Sequence, residues 1–319
     1  ARYGIEISPD NIMITSGSQQ ALDLLGKIFI NRGDRIVVES PTYLGALQAW
    51  NAYGAEYIPV PSDDDGMITD ELEKALRTGP KFIYALPNFQ NPTGSTLPME
   101  RRQRLVELAD RYGVPIIEDD PYGQLRFEGE HLAPLVVIDN KIHTNNGSYT
   151  GNVIYLSTFS KIIAPGLRLA WVIAPTEVIH KLVLAKQGTD LNSATFNQVL
   201  ALEVGQHGFI DRHVKMICEV YKTRRDVMLD SLAELMPPGV HWTHPQGGLF
   251  LWATLPEELS TTELFPEAVA EKVAYVPGFS FFPCGGGDNT MRLNFSYSAP
   301  EKITTGITRL AAVIARHMK

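Results

Sequence analysis

Residues 153–168 read Val153-Ile154-Tyr155-Leu156-Ser157-Thr158-Phe159-Ser160-Lys161-Ile162-Ile163-Ala164-Pro165-Gly166-Leu167-Arg168. An apolar run of strand character delivers small hydroxyl residues and one lysine, and a Pro-Gly turn then leads to an arginine. Lysine is ordinarily a protonated, solvated point charge. One desolvated near other cations loses its proton and can attack a carbonyl carbon. Hydroxyls beside it, with an arginine able to bind bidentately, suit a phosphate. Taken alone, the same pattern describes a surface lysine after a buried strand, so the rest of the chain decides between the two.

Working outward, other apolar runs also end in unusual residues. Residues 114–118 read as a buried strand with Asp119-Asp120-Pro121-Tyr122 at its carboxyl end. Residues 82–85 lead into the loop Pro87-Asn88-Phe89-Gln90-Asn91-Pro92-Thr93-Gly94, and residues 35–39 into Ser40-Pro41-Thr42 and a helix bearing Tyr43, with a further strand at 57–60. Ile12-Met13-Ile14-Thr15 ends at Ser16-Gly17-Ser18-Gln19-Gln20, beyond which Ala21, Leu22, Leu25, Ile28 and Phe29 recur at helical spacing. Free N–H groups and the helix dipole at such a start favour an anion, although plain capping gives the same pattern. Helices are also expected over 69–76, capped by Thr69, and over 98–112, stopped by Gly113. Residues 131–150 read as an irregular surface insertion with a polar tip at 143–148.

Short apolar strands alternating with amphipathic helices indicate an α/β fold with a mainly parallel sheet, in which ligands collect at the carboxyl ends of the strands. From about Phe209 the pattern changes to a long helix over 210–236, strands at 240–243, 248–252 and 291–295, and a final helix over 300–317. The expectation is a large domain over 1–208 and a smaller α+β domain over 209–319.

A chain of 319 residues, 44% hydrophobic and 20% charged, has the composition of a globular protein with a substantial core. Its net charge of -8, without a Lys/Arg cluster, offers no electrostatic footprint for nucleic acid. Cys218 and Cys284 are far apart and form no metal-type pair, which points to a reducing compartment. No apolar run approaches the roughly 20 residues that span a bilayer, and no signal peptide is visible, so cytoplasm is the expectation.

Three kinds of residue at these strand ends call for a ligand. An unpaired carboxylate at Asp119 would be costly, and a protonated pyridine nitrogen would suit it, with the ring then accepting electrons from a substrate Cα. Asn91 and Tyr122 can hydrogen-bond a phenolic oxygen, and Tyr43 can lie on a ring face. Arg292, in an otherwise apolar strand, can clamp a carboxylate. Pyridoxal phosphate has the aldehyde, phosphate, ring nitrogen and phenolic oxygen that this set would bind. Taken singly, Asp119 also reads as a turn cap, Asn91 as a turn residue, the tyrosines as half-buried side chains and Arg292 as an ion-pair partner.

The ordered set Ser16-Gly17-Ser18-Gln19-Gln20, Pro41-Thr42-Tyr43, Asn91-Pro92-Thr93-Gly94, Asp119 with Tyr122, Ser157 to Lys161, Gly166-Leu167-Arg168 and Arg292-Leu293-Asn294-Phe295 resembles the class I/II aminotransferases of pyridoxal phosphate fold type I. Within them it is most similar to the 2-aminoadipate aminotransferase branch, which also includes kynurenine and broad-specificity aromatic or branched-chain enzymes. The resemblance implies that Lys161 bonds to the cofactor and shuttles the substrate proton. It further implies that Asp119 pairs with the ring nitrogen, Asn91 and Tyr122 with the phenolic oxygen, and that Tyr43 stacks. Ser18, Gln19, Thr158, Ser160 and Arg168 would hold the phosphate, and Arg292 the substrate α-carboxylate. Amino acid and 2-oxo acid substrates, 2-oxoglutarate as acceptor, and a homodimer with active sites at its interface are implied as well.

Members of that family begin with a segment that covers the active site and sends a tyrosine to the partner subunit. No such segment precedes Ala1, and the expectation is that this part is missing. Two alternatives share the motifs: an aminotransferase-like effector-sensing domain of a winged-helix regulator, and a β-lyase, decarboxylase or racemase of the same fold. The intact Asn91-Pro92-Thr93-Gly94 and the lack of a basic helix-turn-helix stretch weigh against the first. Arg292 weighs against decarboxylation.

Overall fold

The computed structural model describes residues 7–145 and 148–318. The first strand, β1 (Ile12–Thr15), leads into α1 (Ser18–Phe29), whose Ala21, Leu22, Leu24 and Leu25 form one fully buried face. The pattern continues with β2 (Arg35–Ser40), α2 (Leu44–Asn51), β3 (Glu56–Asp63), β4 (Gly66–Met67), α3 (Thr69–Leu76), β5 (Ile83–Ala85), α4 (Met99–Tyr112) and β6 (Ile116–Asp119). Gly113 ends α4 in the left-handed region, with φ of 62°. After α5 (Leu135–Asn140) and a hairpin of β7 (Thr144–Asn145) and β8 (Ser148–Tyr149), the strands β9 (Val153–Thr158) and β10 (Ala170–Ile173) flank the lysine turn, and α6 (Thr176–Gln187) follows.

The large sheet has the order β1-β10-β9-β6-β5-β2-β3-β4. Neighbours β9, β6, β5, β2 and β3 are parallel, whereas β10 runs antiparallel to both β9 and β1. β1 therefore points the same way as β9. Phe82 and Tyr84 of the central region face α1 and α2, while Ile83 and Ala85 face α3 and α4, so this strand is buried on both sides. Each Leu or Ile side chain fully removed from water this way contributes about 2 kcal/mol.

Beyond α7 (Thr195–Gly205) and α8 (Phe209–Leu235), the elements β11 (His241–Trp242), β12 (Phe250–Thr254), α9 (Thr261–Ala270), β13 (Val276–Pro277), β14 (Thr290–Asn294) and α10 (Pro300–His317) build a second, antiparallel sheet of order β11-β12-β14-β13. Its core includes Leu232 of α8, Leu251 and Leu293 of the sheet and Ile307, Leu310 and Ile314 of α10. A smaller cluster of Phe89, Tyr122, Leu125, Ile162, Leu249 and Phe250 joins the two layers beside the lysine turn. Among the described residues, no helix is long and apolar enough to cross a membrane.

Several local expectations need correction. Residues 131–150 are not a surface insertion: Leu135, Val136, Val137 and Tyr149 are buried, and Glu118 of β6 accepts hydrogen bonds from Leu135 N at 2.7 Å and Val136 N at 2.9 Å. Six residues of helix show no periodicity, and the capping carboxylate comes from another strand. Of the polar tip, Asn146 and Gly147 lie outside the described residues. Thr69 is buried as the first helical residue rather than acting as the cap, which is Ile68. Tyr43 likewise precedes α2 as its cap residue instead of lying within it.

Candidate active site

The lysine turn begins at the end of β9. Thr158 Oγ1 accepts from Ser160 N at 3.1 Å, which closes a tight 3-10 turn over Phe159–Lys161. A second such turn, Pro165–Leu167, ends at Arg168 in the left-handed region with φ of 49°. The reversal folds the guanidinium back, and its Nη1 donates to Pro165 O at 3.0 Å and Ser160 Oγ at 3.4 Å. Its Nη2 lies against Gly17, where φ is 91° and a Cβ would stand 2.5 Å from that nitrogen. Arg168 is thereby brought against the residue that precedes α1. The Ser18 hydroxyl at this junction is buried and has no partner among the described residues.

β6 ends at Asp119, which is 2% exposed. Tyr84 OH donates to its Oδ2 at 2.8 Å, while Oδ1 is buried without a partner among the described residues. Burial pushes the Asp119 carboxyl up to about 7, and the Tyr84 hydrogen bond opposes that rise. Burial, reinforced by Arg168 and Arg292, pulls the Lys161 amine below the ordinary lysine range. The same causes that make a lysine nucleophilic therefore act on this one.

Arg292 comes from β14. Its guanidinium carbon lies 4.1 Å from the Phe250 ring centroid and 5.2 Å from that of Phe281, and its Nη1 donates to Asn91 Oδ1 at 2.7 Å. Among the described residues, no carboxylate is within ion-pair distance of it. Burial also raises the Tyr43 phenol, with Asp119 adding to the shift, and raises that of Tyr122.

These side chains line one cavity of about 360 Å3. Ser18, Gln19, Thr158, Ser160 and Arg168 are on its wall, together with Tyr43, Asn91, Asp119, Tyr122, Lys161 and Arg292, so each residue expected to touch cofactor or substrate lines it. The Gln19 side-chain amide donates to Gly45 O at 2.7 Å, tying α1 to α2. The set fits pyridoxal phosphate: an orphaned carboxylate oxygen for a ring N–H, an orphaned hydroxyl beside a guanidinium for a phosphate, and an amine for an aldehyde.

Sequence reasoning missed Tyr84, Phe250, Phe281 and Gly45. The first three read as ordinary core aromatics. Gly45 leaves room for the Tyr43 ring, since a Cβ there would stand 2.5 Å from Tyr43 Cζ. Tyr84 had a weak signal, in that it falls one strand away from Asp119 and a fully buried phenol needs a partner.

The family described as aminotransferase class I and II matches residues 1–310. The chain belongs to this family. It is 51% identical to aromatic-amino-acid aminotransferase 1 of Thermococcus litoralis, covering 100% of this chain and 76% of that protein. The 2-aminoadipate transaminase of Thermus thermophilus is 41% identical over 97% of this chain and 77% of its own length. Among solved structures, the kynurenine aminotransferase of Pyrococcus horikoshii in complex with PMP superposes with a TM-score of 0.93 at 47% identity, covering 100% of this chain and 78% of that one. The chain thus spans about three quarters of the length of these relatives. As an aminotransferase of fold type I it uses pyridoxal phosphate, and its likeness within the family is to the 2-aminoadipate and aromatic branch.

Proposed function

We propose that this aminotransferase moves the amino group of a 2-aminoadipate, aromatic or branched-chain type of 2-amino acid to a 2-oxo acid, with 2-oxoglutarate as the usual acceptor, in the cytoplasm. The single observation that carries the reading is the Lys161, Asp119 and Arg292 set around one cavity. Bound pyridoxal phosphate supplies a ring that takes up the electron pair left when the substrate Cα loses its proton. Lys161 would hold the cofactor through its aldehyde carbon, and its Nζ would accept the substrate Cα proton as a general base, a role that the lowering of its pKa by burial, Arg168 and Arg292 favours. Asp119 Oδ1 accepts from the ring nitrogen, while Asn91 and Tyr122 bind the phenolic oxygen and Tyr43 covers the ring. Ser18, Gln19, Thr158, Ser160 and Arg168 hold the phosphate. Arg292 grips the substrate α-carboxylate, which keeps that group on the substrate and favours transfer over decarboxylation.

Residues 1–208 would form the cofactor-binding domain and 209–319 the smaller one. A homodimer is part of the reading, supported by exposed apolar residues concentrated around α7, with Leu191 and Phe196 each 77% and Leu202 63% exposed. Sedimentation of the full-length protein tests it, and a monomer at working concentration would refute it.

The full-length protein with cofactor tests the chemistry. An amino donor should convert the resting absorbance to that of the pyridoxamine form, and 2-oxoglutarate should restore it. A spectral change without turnover would point to an effector sensor. Pyruvate and ammonia from a β-substituted substrate would point to a lyase.

A further inference from the structure

We propose that Tyr84 is a positioning residue that fixes the Asp119 carboxylate so that Oδ1 alone is aimed at the cofactor ring nitrogen. The inference rests on the reading of Asp119 given above and adds a residue that reading does not use. β5 and β6 are parallel, with Tyr84 paired to Ile117. Ile117 and Asp119 lie on one face of β6 because side chains alternate, so Tyr84 shares their face and its long ring reaches along the strand direction to Asp119. Its hydroxyl donates to Oδ2 at 2.8 Å. The ring cannot swing away: it is fully buried and stands edge-on to Trp50, centroids 4.9 Å apart and planes at 88°. Trp50 is itself tied to α1, where its Nε1 donates to Leu22 O at 2.9 Å. A chain of contacts from α1 through Trp50 and Tyr84 therefore ends on one oxygen of a carboxylate.

The chemistry follows from the inventory of donors. A phenol has one proton to give, and burial with the Asp119 charge drives the Tyr84 pKa well above the ordinary tyrosine value, so it remains a donor. A carboxylate with one oxygen so engaged cannot rotate freely. Its other oxygen, buried and unpartnered among the described residues, keeps its lone pairs for the cavity. Without the phenol, the carboxylate would lose both its orientation and the hydrogen bond that opposes its protonation.

The test compares dissociation constants, measured by fluorescence on the full-length protein, for pyridoxal phosphate and for the analogue in which carbon replaces the ring nitrogen. Tyr84→Phe keeps the ring against Trp50 and removes only the hydroxyl. It is expected to weaken pyridoxal phosphate by about ten- to hundredfold while leaving the carbon analogue nearly unchanged. In an Asp119→Asn background the same substitution should have little effect. Equal weakening of both ligands would make Tyr84 a packing residue only and overturn the proposal, as would no weakening of either. If the unsubstituted protein does not discriminate between the two ligands, the Asp119 reading itself fails; discrimination that survives Tyr84→Phe sinks only the role of Tyr84.

Discussion

Arg292 and Phe250 form a cation–π pair, with the guanidinium carbon over the ring at 4.1 Å from its centroid. The ring covers one side of the guanidinium while Asn91 Oδ1 takes one of its donors. What is left is an edge with the fork geometry that a carboxylate matches. Lysine has neither the plane nor the fork. Arg292→Lys is therefore expected to raise KM for the amino donor by roughly fiftyfold with a smaller fall in kcat, read from steady-state kinetics. An unchanged KM would remove Arg292 from carboxylate binding.

Lys161→Ala should abolish turnover yet leave weak cofactor binding. Arg168, the hydroxyls of Thr158 and Ser160 and the start of α1 do not depend on the amine. Equilibrium dialysis with pyridoxal phosphate measures what remains, and complete loss of binding would show that the phosphate site contributes little.

Gly17→Ala places a methyl where φ is 91° and where Arg168 Nη2 stands 2.5 Å away. The backbone strain and the displaced guanidinium act on the same corner of the cavity. Cofactor affinity is expected to fall by about tenfold or more, with loss of the thermal protection that inorganic phosphate gives the cofactor-free protein. Calorimetry in the presence and absence of phosphate decides.

Stability should depend on pH through the buried carboxyls Glu39, Glu118, Asp119 and Asp120, all of which burial raises; Glu39 and Asp119 are the two to test. Burial raises Glu39 from an ordinary value of 4.5 to about 8, and Asp119 from 3.8 to about 7. For an acid whose folded pKa is raised, both states are protonated at low pH and no penalty exists. As pH rises past the unfolded pKa the unfolded chain ionises first, and stability falls until the folded pKa is passed. The cofactor-free protein should thus lose stability from about pH 4 until the folded values, about 7 for Asp119 and about 8 for Glu39, are passed. Glu39→Gln retains an acceptor for Leu86 N and should raise the melting temperature more at the alkaline end than at the acid end, by an amount equivalent to about 5 kcal/mol at most. Asp119→Asn should behave the same way in stability while lowering kcat by about a hundredfold. Melting curves that do not differ across this range would count against both.

How much was legible in the sequence depended on where the information lay. Lys161 and Asp119 stood out because each lies at or just past the carboxyl end of an apolar run, and an α/β sheet sends such strand ends to one edge. Tyr84 did not, because a tyrosine between Ile83 and Ala85 looks like core until the register with β6 is known. The helix Leu135–Asn140 escaped for a related reason: its cap is Glu118, seventeen residues away in sequence and on a neighbouring strand. The antiparallel course of β10 was equally hidden, since an apolar run carries no sign of its direction.

That course has an outcome for how the protein is made and unmade. Among the described residues, β1 sits at the rim of the large sheet and pairs only with β10, Thr15 opposite Ala170. As the polypeptide leaves the ribosome, β1 must wait for a partner whose Ala170 is made 155 residues after Thr15 before that seam can close. In the finished molecule the same seam is the natural place to peel: a protease or denaturant that lifts β1 would spill the cofactor while the inner strands still hold.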